Sequence, residues 1–391
     1  MIRFEEALAL IEQAARPMST EKVSLTECIG RVLAEDVYSD MDMPPFDKSA
    51  VDGYACRRED LGKEMKVLEI IAAGKEAKFS IGPCECSKLM TGGKLPEGAD
   101  MVIMIEDVEI LSDNLIRFTG AKSAANICYK AEDIVKGNKV LDKGTKLKPQ
   151  EIAVLASVGA YEPLVYETFC LGIITTGDEL VEPHQVPGAA QIRNSNAWQL
   201  IGQAQKAGCI PKYYGIAIDN EEETLALIEK AVAENHITIL TGGISVGDFD
   251  FVPAVLNKAG FDIRFRSLAV QPGKPSIFAC RNEKYLFALP GNPVSSFVQF
   301  ELMVRHLMNV MSGNFDSERN YQLPLGFDYQ RKRTDRKAFI PVILQTNGEI
   351  GRVEYHGSAH IHSYIHADGI ISVELGVNEI KKGTLVDVRF L

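Results

Sequence analysis

The sequence predicts a multidomain protein of the α/β plus β class, and three observations carry that reading. The chain has 391 residues, which at roughly 100 to 200 per domain leaves room for two to four separate cores. From Phe169 it repeats strand, glycine-rich turn and helix: CLGIITTG, SNAWQLIGQAQKAG, CIPKYYGIAI, EEETLALIEKAVAE, HITILTGG and DFVPAVLNKAG. On either side of that region the apolar runs are short and broken by turn residues, which is β texture.

The elements follow in chain order. Phe4, Leu8, Ile11 and Ala15 share one helical face that ends before Pro17, an amphipathic segment expected to dock on a distant domain. From Val23 to Asp40 the pattern is short and strand-like. It stops at MPPFDKSAVDGYA, where Pro44 and Pro45 cannot continue a regular element. The runs VLEIIAAG, MVIMIEDVEI and LIRF between Lys66 and Phe118 predict a small β domain. KGTKLKPQEIAVLASVGA predicts a turn and then a helix with Pro149 at its first position and Gly159 as its stop. Inside the repeat, Leu225, Ile228 and Val232 form a helical stripe, and ITIL is a continuous apolar run. Such a run suits a strand covered on both faces, so the sheet is expected to be parallel. KYLFALPG adds a strand and NPVSSFVQFELMVRHLM a long helix. After about Arg319 helical periodicity is lost, and a separate β-rich domain is expected.

Composition narrows the function. A hydrophobic share of 46% with 24% charged residues is that of a globular chain and argues against disorder. The formal charge of -11 argues against nucleic acid as a partner, because Lys and Arg supply most of the affinity for phosphate backbones. No apolar run approaches the ~20 residues of a spanning helix. The opening MIRFEEALALIEQAARP carries acids within its apolar pattern and reads as neither a signal peptide nor a membrane anchor. Eight cysteines scattered from Cys28 to Cys280, without paired CxxC spacing, read as reduced thiols of a cytoplasmic chain.

In an open parallel sheet, ligands sit beyond the carboxyl ends of the strands. Three turns there carry acids: Thr175-Thr176-Gly177-Asp178-Glu179, Asp219, and Thr241-Gly242-Gly243-Ile244-Ser245-Val246-Gly247-Asp248 with Asp250 close behind. Taken singly, each acid is as readily a helix cap. Together they repel one another by ~4 kcal/mol per pair at 4 Å and an effective dielectric near 20, so the cluster needs a cation. Carboxylate oxygens favour Mg²⁺, which usually bridges to substrate phosphates. Gly242-Gly243 and Leu289-Pro290-Gly291-Asn292-Pro293-Val294-Ser295-Ser296 bring backbone N–H groups and helix N-termini to the same face. That arrangement accepts phosphate without basic side chains; ordinary tight turns are the competing reading. Lys274 in Pro272-Gly273-Lys274-Pro275 is an anion partner or a solvated turn lysine. His356, His360, His362 and His366 are expected on a surface loop, because no acid or cysteine completes a transition-metal set, although the alternation of His360 and His362 would place both rings on one face of a strand. No nucleophile elbow or His-flanked Ser or Cys is present, so covalent catalysis is not expected.

The segments PPFDKSAVDGYA, MTGGKLPEGAD, TTGDEL, TGGISVGDFDFV, QPGKP, LPGNPVSSF and GSAHIHS occur in the order found in the MoeA family, the molybdopterin molybdenumtransferases, which the chain resembles over essentially its whole length. The eukaryotic relative of that family is the gephyrin E domain. The resemblance implies an elongated homodimer. Residues 1–20 would be an N-terminal helix joining the α/β domain. Residues 21–40 and 137–167 would form a mixed linker domain, with a small β domain at 41–136 inserted in it. A central MogA-like three-layer parallel α/β domain would occupy 168–318, and a C-terminal β-barrel 319–391. The β domain of one subunit would face the α/β crevice of the other.

The implied reaction is Mg²⁺-dependent insertion of molybdate into the dithiolene of adenylylated molybdopterin, with release of AMP. Carried over by motif, Asp52 and Thr91 would reach the site from the β domain, while Glu179, Asp219 and Asp250 would line the α/β side and organise metal, molybdate and water. Asp133 of AEDI matches a further functional acid. Arg336 and Ser358 match ligand-binding positions, and Pro290 and Pro293 match the prolines of the LPGNP turn. Gly242, Gly243, Ser245, Gln271, Lys274 and Ser295 complete the expected substrate-binding set. The chain departs from the family pattern at Gln271 and Ser267, where lysines occur, and at Ala131 and Cys128, where Gly and a basic residue occur. Lys130, Lys274 and Arg266 remain as anion partners. A molybdopterin adenylyltransferase and acceptor molybdoenzymes are the protein partners implied. Two other readings stand beside this one. Adenylyl transfer to molybdopterin is opposed by the extra β domain and the VDGYA loop, and a catalytically weakened scaffold is opposed by the intact acids.

Overall fold

The computed structural model describes residues 1–218, 220–244, 251–314, 321–355 and 357–391. The chain divides into two compact units. One comprises Met1–Glu35, Lys143–Lys148 and Glu162–Leu391, and the other Asp36–Asp142 and Pro149–Tyr161.

The amphipathic start forms helix α1 (Phe4–Ala14), which buries Phe4, Ala7 and Ile11. Glu5 and Glu6 lie in its first turn, where carboxylates complement the positive end of the helix. The Arg3 N–H donates to the Glu6 carboxylate at 3.0 Å. Docking on a distant segment follows as expected: the Phe4 ring meets Phe339 edge-on at 5.2 Å, and the Ile2 N–H donates to the Ser267 carbonyl at 3.0 Å.

The unit spanning Asp36–Asp142 is built on β1 (Gly53–Cys56), β2 (Glu64–Ile71), β3 (Glu85–Leu89), β4 (Met101–Met104), β5 (Val108–Ser112) and β6 (Leu115–Phe118), in the order β4-β1-β3-β2-β6-β5. Only β2 and β3 pair in parallel. Successive side chains of a strand leave opposite faces. Tyr54, Cys56, Met101 and Ile103 accordingly enter one apolar cluster, and Ala55 and Val102 enter another. Helix α2 (Pro149–Ser157) follows, and Gly159 at φ +77° stops it as expected.

The α/β region runs β7 (Cys170–Thr176), α3 (Asn196–Lys206), β8 (Ile210–Ala217), α4 (Glu221–Glu234), β9 (Ile237–Thr241), α5 (Val252–Lys258), β10 (Asp262–Ser267), β11 (Pro275–Arg281), β12 (Lys284–Leu289), α6 (Pro293–Gln299) and α7 (Arg305–Ser312). The sheet order is β8-β7-β9-β12-β11-β10. Helices cover both faces. Ile237 and Ile239 of β9 pack with Leu200 of α3 and Val298 of α6, while Leu240 packs with Ile228 of α4 and Val255 of α5. The sheet is mixed, which corrects the expected all-parallel one: β8, β7, β9, β12 and β10 run in one direction, and β11, between β12 and β10, is antiparallel to both neighbours. The reason is the β11–β12 hairpin, whose turn residues Asn282 and Glu283 both have positive φ, +47° and +62°. That is a type I′ geometry ordinarily signalled by Asn-Gly, and Glu283 hides it. The expected single long helix after Asn292 is also interrupted, because Phe300–Val304 form a π-helical turn between α6 and α7.

The C-terminal strands β13 (Tyr321–Pro324), β14 (Lys337–Leu344), β15 (Gly369–Val373) and β16 (Leu385–Phe390) pair in the order β14-β15-β16-β13, and Ile350–Arg352 pairs with β14. A bridge from Leu325 to Ile350 closes the pairings into a ring around Leu325, Val342, Ile350, Ile371 and Val388. Val270–Gln271 pairs with Lys337–Ala338, which ties the turn before β11 to this sheet. Ile361–His366 is a 3₁₀ helix, so His360 and His362 do not share a strand face. Both are exposed, and His356 lies outside the described residues. No helix among the described residues is long and apolar enough to cross a membrane.

Candidate active site

The parallel register sets the geometry. Thr176 lies opposite Ala217, Thr175 opposite Thr241, and Thr241 opposite Leu289. The turns after β7, β8, β9 and β12 therefore leave neighbouring points of one sheet edge. These ends are bound together: the Gly242 N–H donates to the Leu289 carbonyl at 3.2 Å, and the Thr241 hydroxyl to the Pro290 carbonyl at 3.1 Å. The amide of Asn196, at the start of α3, donates to Thr241 Oγ1 at 3.1 Å and to the Gly291 carbonyl at 2.7 Å. Gly242 and Gly243 have φ +97° and +65°, and a Cβ on Gly242 would stand 2.3 Å from the Thr176 carbonyl oxygen. Only glycine fits that approach.

Thr176 is a residue that sequence reasoning passed over. Its hydroxyl is buried, has no hydrogen-bond partner among the described residues and packs under Gly242 and Gly243. A buried polar atom left unpaired costs about 1–3 kcal/mol, which marks this hydroxyl as one that a ligand would satisfy. The second omission is Asn194, 1% exposed. It donates to Thr175 Oγ1 at 3.0 Å and to the Tyr213 phenol at 2.7 Å, and the phenol donates to Glu182 at 2.8 Å. Burial, reinforced by Glu182, pushes the Tyr213 phenol up to about 12. It stays a protonated donor that braces the end of β7. The signal was present in RNSN, an Asn run directly before a helix.

Glu179 is exposed and follows Gly177 at φ +143°, where a Cβ would stand 2.5 Å from the Glu179 carboxylate. Asp219, Ser245, Asp248 and Asp250 lie outside the described residues. Among the described residues no group of three or more His, Cys, Asp or Glu could hold a metal ion, so Glu179 is the one described member of the expected ligand set. Its exposed carboxylate oxygens are donors of the kind Mg²⁺ takes.

Other expected residues assemble around the LPGNP turn. Pro290 is buried, and Pro293 opens α6. Ser358 comes to the same place: it accepts from the Asn292 amide at 2.9 Å, and its carbonyl accepts from the Val294 N–H at 3.1 Å. Ser295, by contrast, is 1% exposed and faces the packing behind the turn. Gln271 and Lys274 are exposed. Beneath them Gln299, 1% exposed, donates to the Gly273 carbonyl and accepts from the Ser276 hydroxyl, so a buried carboxamide sets the shape of that turn. Arg336 adjoins Lys337, the partner of Val270; among the described residues its buried Nε makes no hydrogen bond, and it lies 3.8 Å from the Asp335 carboxylate.

In the other unit, Asp52 Oδ1 accepts from the Thr91 N–H at 2.7 Å and from its hydroxyl at 2.6 Å. Gly53 must lack a side chain because a Cβ would meet the Ile103 carbonyl oxygen at 2.0 Å. The Thr91 hydroxyl, then its N–H, with a smaller pull from Lys88, hold the Asp52 carboxyl below its ordinary range. A depressed carboxylate contributes stability above its unfolded pKa, about 3.9, and that contribution is lost as pH falls through the folded value. Thr91→Val is therefore expected to raise the Asp52 pKa towards ordinary, read by NMR titration. An unmoved titration would contradict the pairing. Asp133 is exposed, and its N–H donates to the Met43 carbonyl at 3.0 Å.

Glycines Gly242, Gly243 and Gly291 at the carboxyl edge of an α/β sheet, carried with β-rich segments in one chain, define a multidomain α/β protein with the strand-end geometry at which ligands of open α/β sheets commonly sit. Residues 2–159 match the family model described as "MoeA N-terminal region (domain I and II)", residues 172–309 "Probable molybdopterin binding domain", and residues 322–391 "MoeA C-terminal region (domain IV)". A Haemophilus influenzae protein named molybdopterin molybdenumtransferase is 32% identical over 100% of this chain and 98% of its own. A Bacillus subtilis protein of the same name is 36% identical over 78% of this chain and 74% of its own. The crystal structure of a molybdopterin biosynthesis moeA protein from Pyrococcus horikoshii superposes with a TM-score of 0.85 at 31% identity, covering 100% of both chains. The chain belongs to the MoeA family of molybdopterin molybdenumtransferases.

Proposed function

We propose that this transferase of molybdenum cofactor biosynthesis inserts molybdate into adenylylated molybdopterin in a Mg²⁺-dependent step that releases AMP. The observation that carries the reading is that Gly242 and Gly243 pack on the buried Thr176 hydroxyl, which has no hydrogen-bond partner among the described residues, while Gly291 lies against Gly242 at the same sheet edge. Backbone donors there suit a phosphate in a chain of charge -11.

The residues divide the work. The main chain at Gly242-Gly243 and the LPGNP turn receives the phosphate end, with Thr176 donating its hydroxyl. Ser358, fixed on Asn292, and Arg336, whose Nε lies 3.8 Å from the Asp335 carboxylate without a hydrogen bond, serve the anionic end of the substrates beside Gln271 and Lys274. Glu179, with Asp219 and Asp250, supplies carboxylate oxygens. Mg²⁺, when bound, would supply Lewis-acid polarisation and charge neutralisation. Asp52 stays ionised through Thr91 and offers an acceptor. In this reading proximity supplies the rate, and no side chain attacks covalently.

The five-part domain division, the C-terminal β-barrel and the homodimer in which Asp52 and Thr91 of one subunit serve the crevice of the other belong to the same proposal. So do an adenylyltransferase as supplier, molybdoenzymes as acceptors and a cytoplasmic setting. The test is to supply purified protein with adenylylated molybdopterin, Mg²⁺ and molybdate and to follow AMP release and metal incorporation together. Molybdate-dependent AMP release with incorporation is the expected result. AMP transfer from ATP, or binding without turnover, would overturn it in favour of adenylyl transfer or a scaffold.

A further inference from the structure

At the opposite, amino-terminal edge of the α/β sheet lies a cavity that the proposed reaction does not use. Thr168 and Phe169 border it just before β7, and Ala207 and Gly208 just before β8. Its volume is about 60 Å³, room for a few waters or one small ion at ~10–15 Å³ per water. Three cations line it: Arg31, Lys146 and Arg305. Two are already engaged. Arg31 donates to Glu21 at 2.5 Å and to the Tyr166 carbonyl at 2.7 Å, and Arg305 Nη1 donates to Glu301 at 2.5 Å.

Lys146 differs. Burial, and then repulsion from Arg305, lower its pKa, and Lys148 adds to the repulsion. Among the described residues no carboxylate acts on it. Glu167, the one acid among the described lining residues, acts on His236. A half-buried lysine held beside an arginine is unfavourable until an anion enters, and then both cations gain charge-assisted hydrogen bonds. Glu301 takes Nη1 of Arg305, and among the described residues the rest of the guanidinium fork meets no other acceptor, which leaves it to face a second one.

We propose that this cavity is a binding site for a small tetrahedral oxyanion, held between Lys146 and Arg305. Phosphate, sulfate and molybdate share the charge and shape it accepts, and parallel titrations separate them. The site stands apart from the crevice at the other end of the strands.

The test is equilibrium dialysis of the full chain against radiolabelled phosphate, with sulfate and molybdate as competitors. Saturable binding is expected, weakened at least tenfold in Lys146→Met and kept within about threefold in Lys146→Arg, because a guanidinium retains the charge and the donors. The Lys146 ammonium, followed by NMR, is expected to titrate at higher pH with phosphate present. Circular dichroism melting of Lys146→Met checks that the fold is kept, and Lys146→Gln replaces it if it is not. Unchanged affinity in both neutral variants overturns the proposal. So does an absence of saturable binding at millimolar phosphate, or a loss of binding in Lys274→Met but not in Lys146→Met, which places the ion at the crevice.

Discussion

Glu179→Gln is expected to slow molybdate-dependent AMP release by about 100-fold or more, the size of effect seen when one preorganised charge is removed from a site, while leaving the protein folded. The substitution keeps volume and shape and removes a charge. Glu179 is exposed, and exposed positions usually change stability by no more than about 0.5 kcal/mol, so the thermal midpoint should stay within about 2 °C. The backbone anchor is untouched, because the Glu179 carbonyl accepts from the Ile192 N–H at 2.8 Å. Calorimetry with Mg²⁺ and no pterin gives an independent reading, with weaker binding expected in the variant. Full turnover with unchanged Mg²⁺ affinity would remove Glu179 from the mechanism. Lost turnover with a collapsed melting curve would instead make it structural.

The chain displayed its elements wherever local pattern and burial agree. Helix α1 and the strand-turn-helix repeat were legible because one apolar face repeats at the period of the element. Strands β1 (GYAC) and β3 (ECSKL) were not, because small and polar residues hide the alternation that their places inside a sheet require. The β11–β12 hairpin was missed because Asn282-Glu283 adopts a turn that its residue types do not advertise. In the site, glycines after strands were readable from chain order alone. The Asp52–Thr91 pair spans 39 residues and the Asn292–Ser358 pair 66, so family resemblance could nominate these residues while only tertiary closure pairs them. The helix over NPVSSFVQF was legible, but its phase, which buries Ser295 beside Val294 and Val298, was not, because Ser295 stands next to the LPGNP turn in a segment expected to face the substrate.

Gly242→Ala and Gly291→Ala test the crevice as a pair, because the two glycines face each other with different demands. At Gly242 the backbone is at φ +97°, which costs an L-residue about 1–2 kcal/mol. A Cβ there would also stand 2.3 Å from the Thr176 carbonyl and 2.8 Å from its hydroxyl. That contact is with backbone at the end of a buried strand, so no flexible side chain can yield. A loss of at least about 3 kcal/mol is expected in denaturant unfolding, in the range of core overpacking combined with backbone strain, together with loss of AMP release. At Gly291 the nearest atom to a new Cβ is the Gly242 Cα at 3.6 Å, an ordinary contact, and Gly291 is exposed. Gly291→Ala should cost less than about 1 kcal/mol, and its methyl group would narrow the crevice from the other wall. The expected result is therefore a folded protein whose apparent affinity for adenylylated molybdopterin falls while its melting curve holds. Equal stability of the two variants would mean that the main chain beside Thr176 is not closely packed, and the backbone cradle on which phosphate binding depends would lose its physical basis.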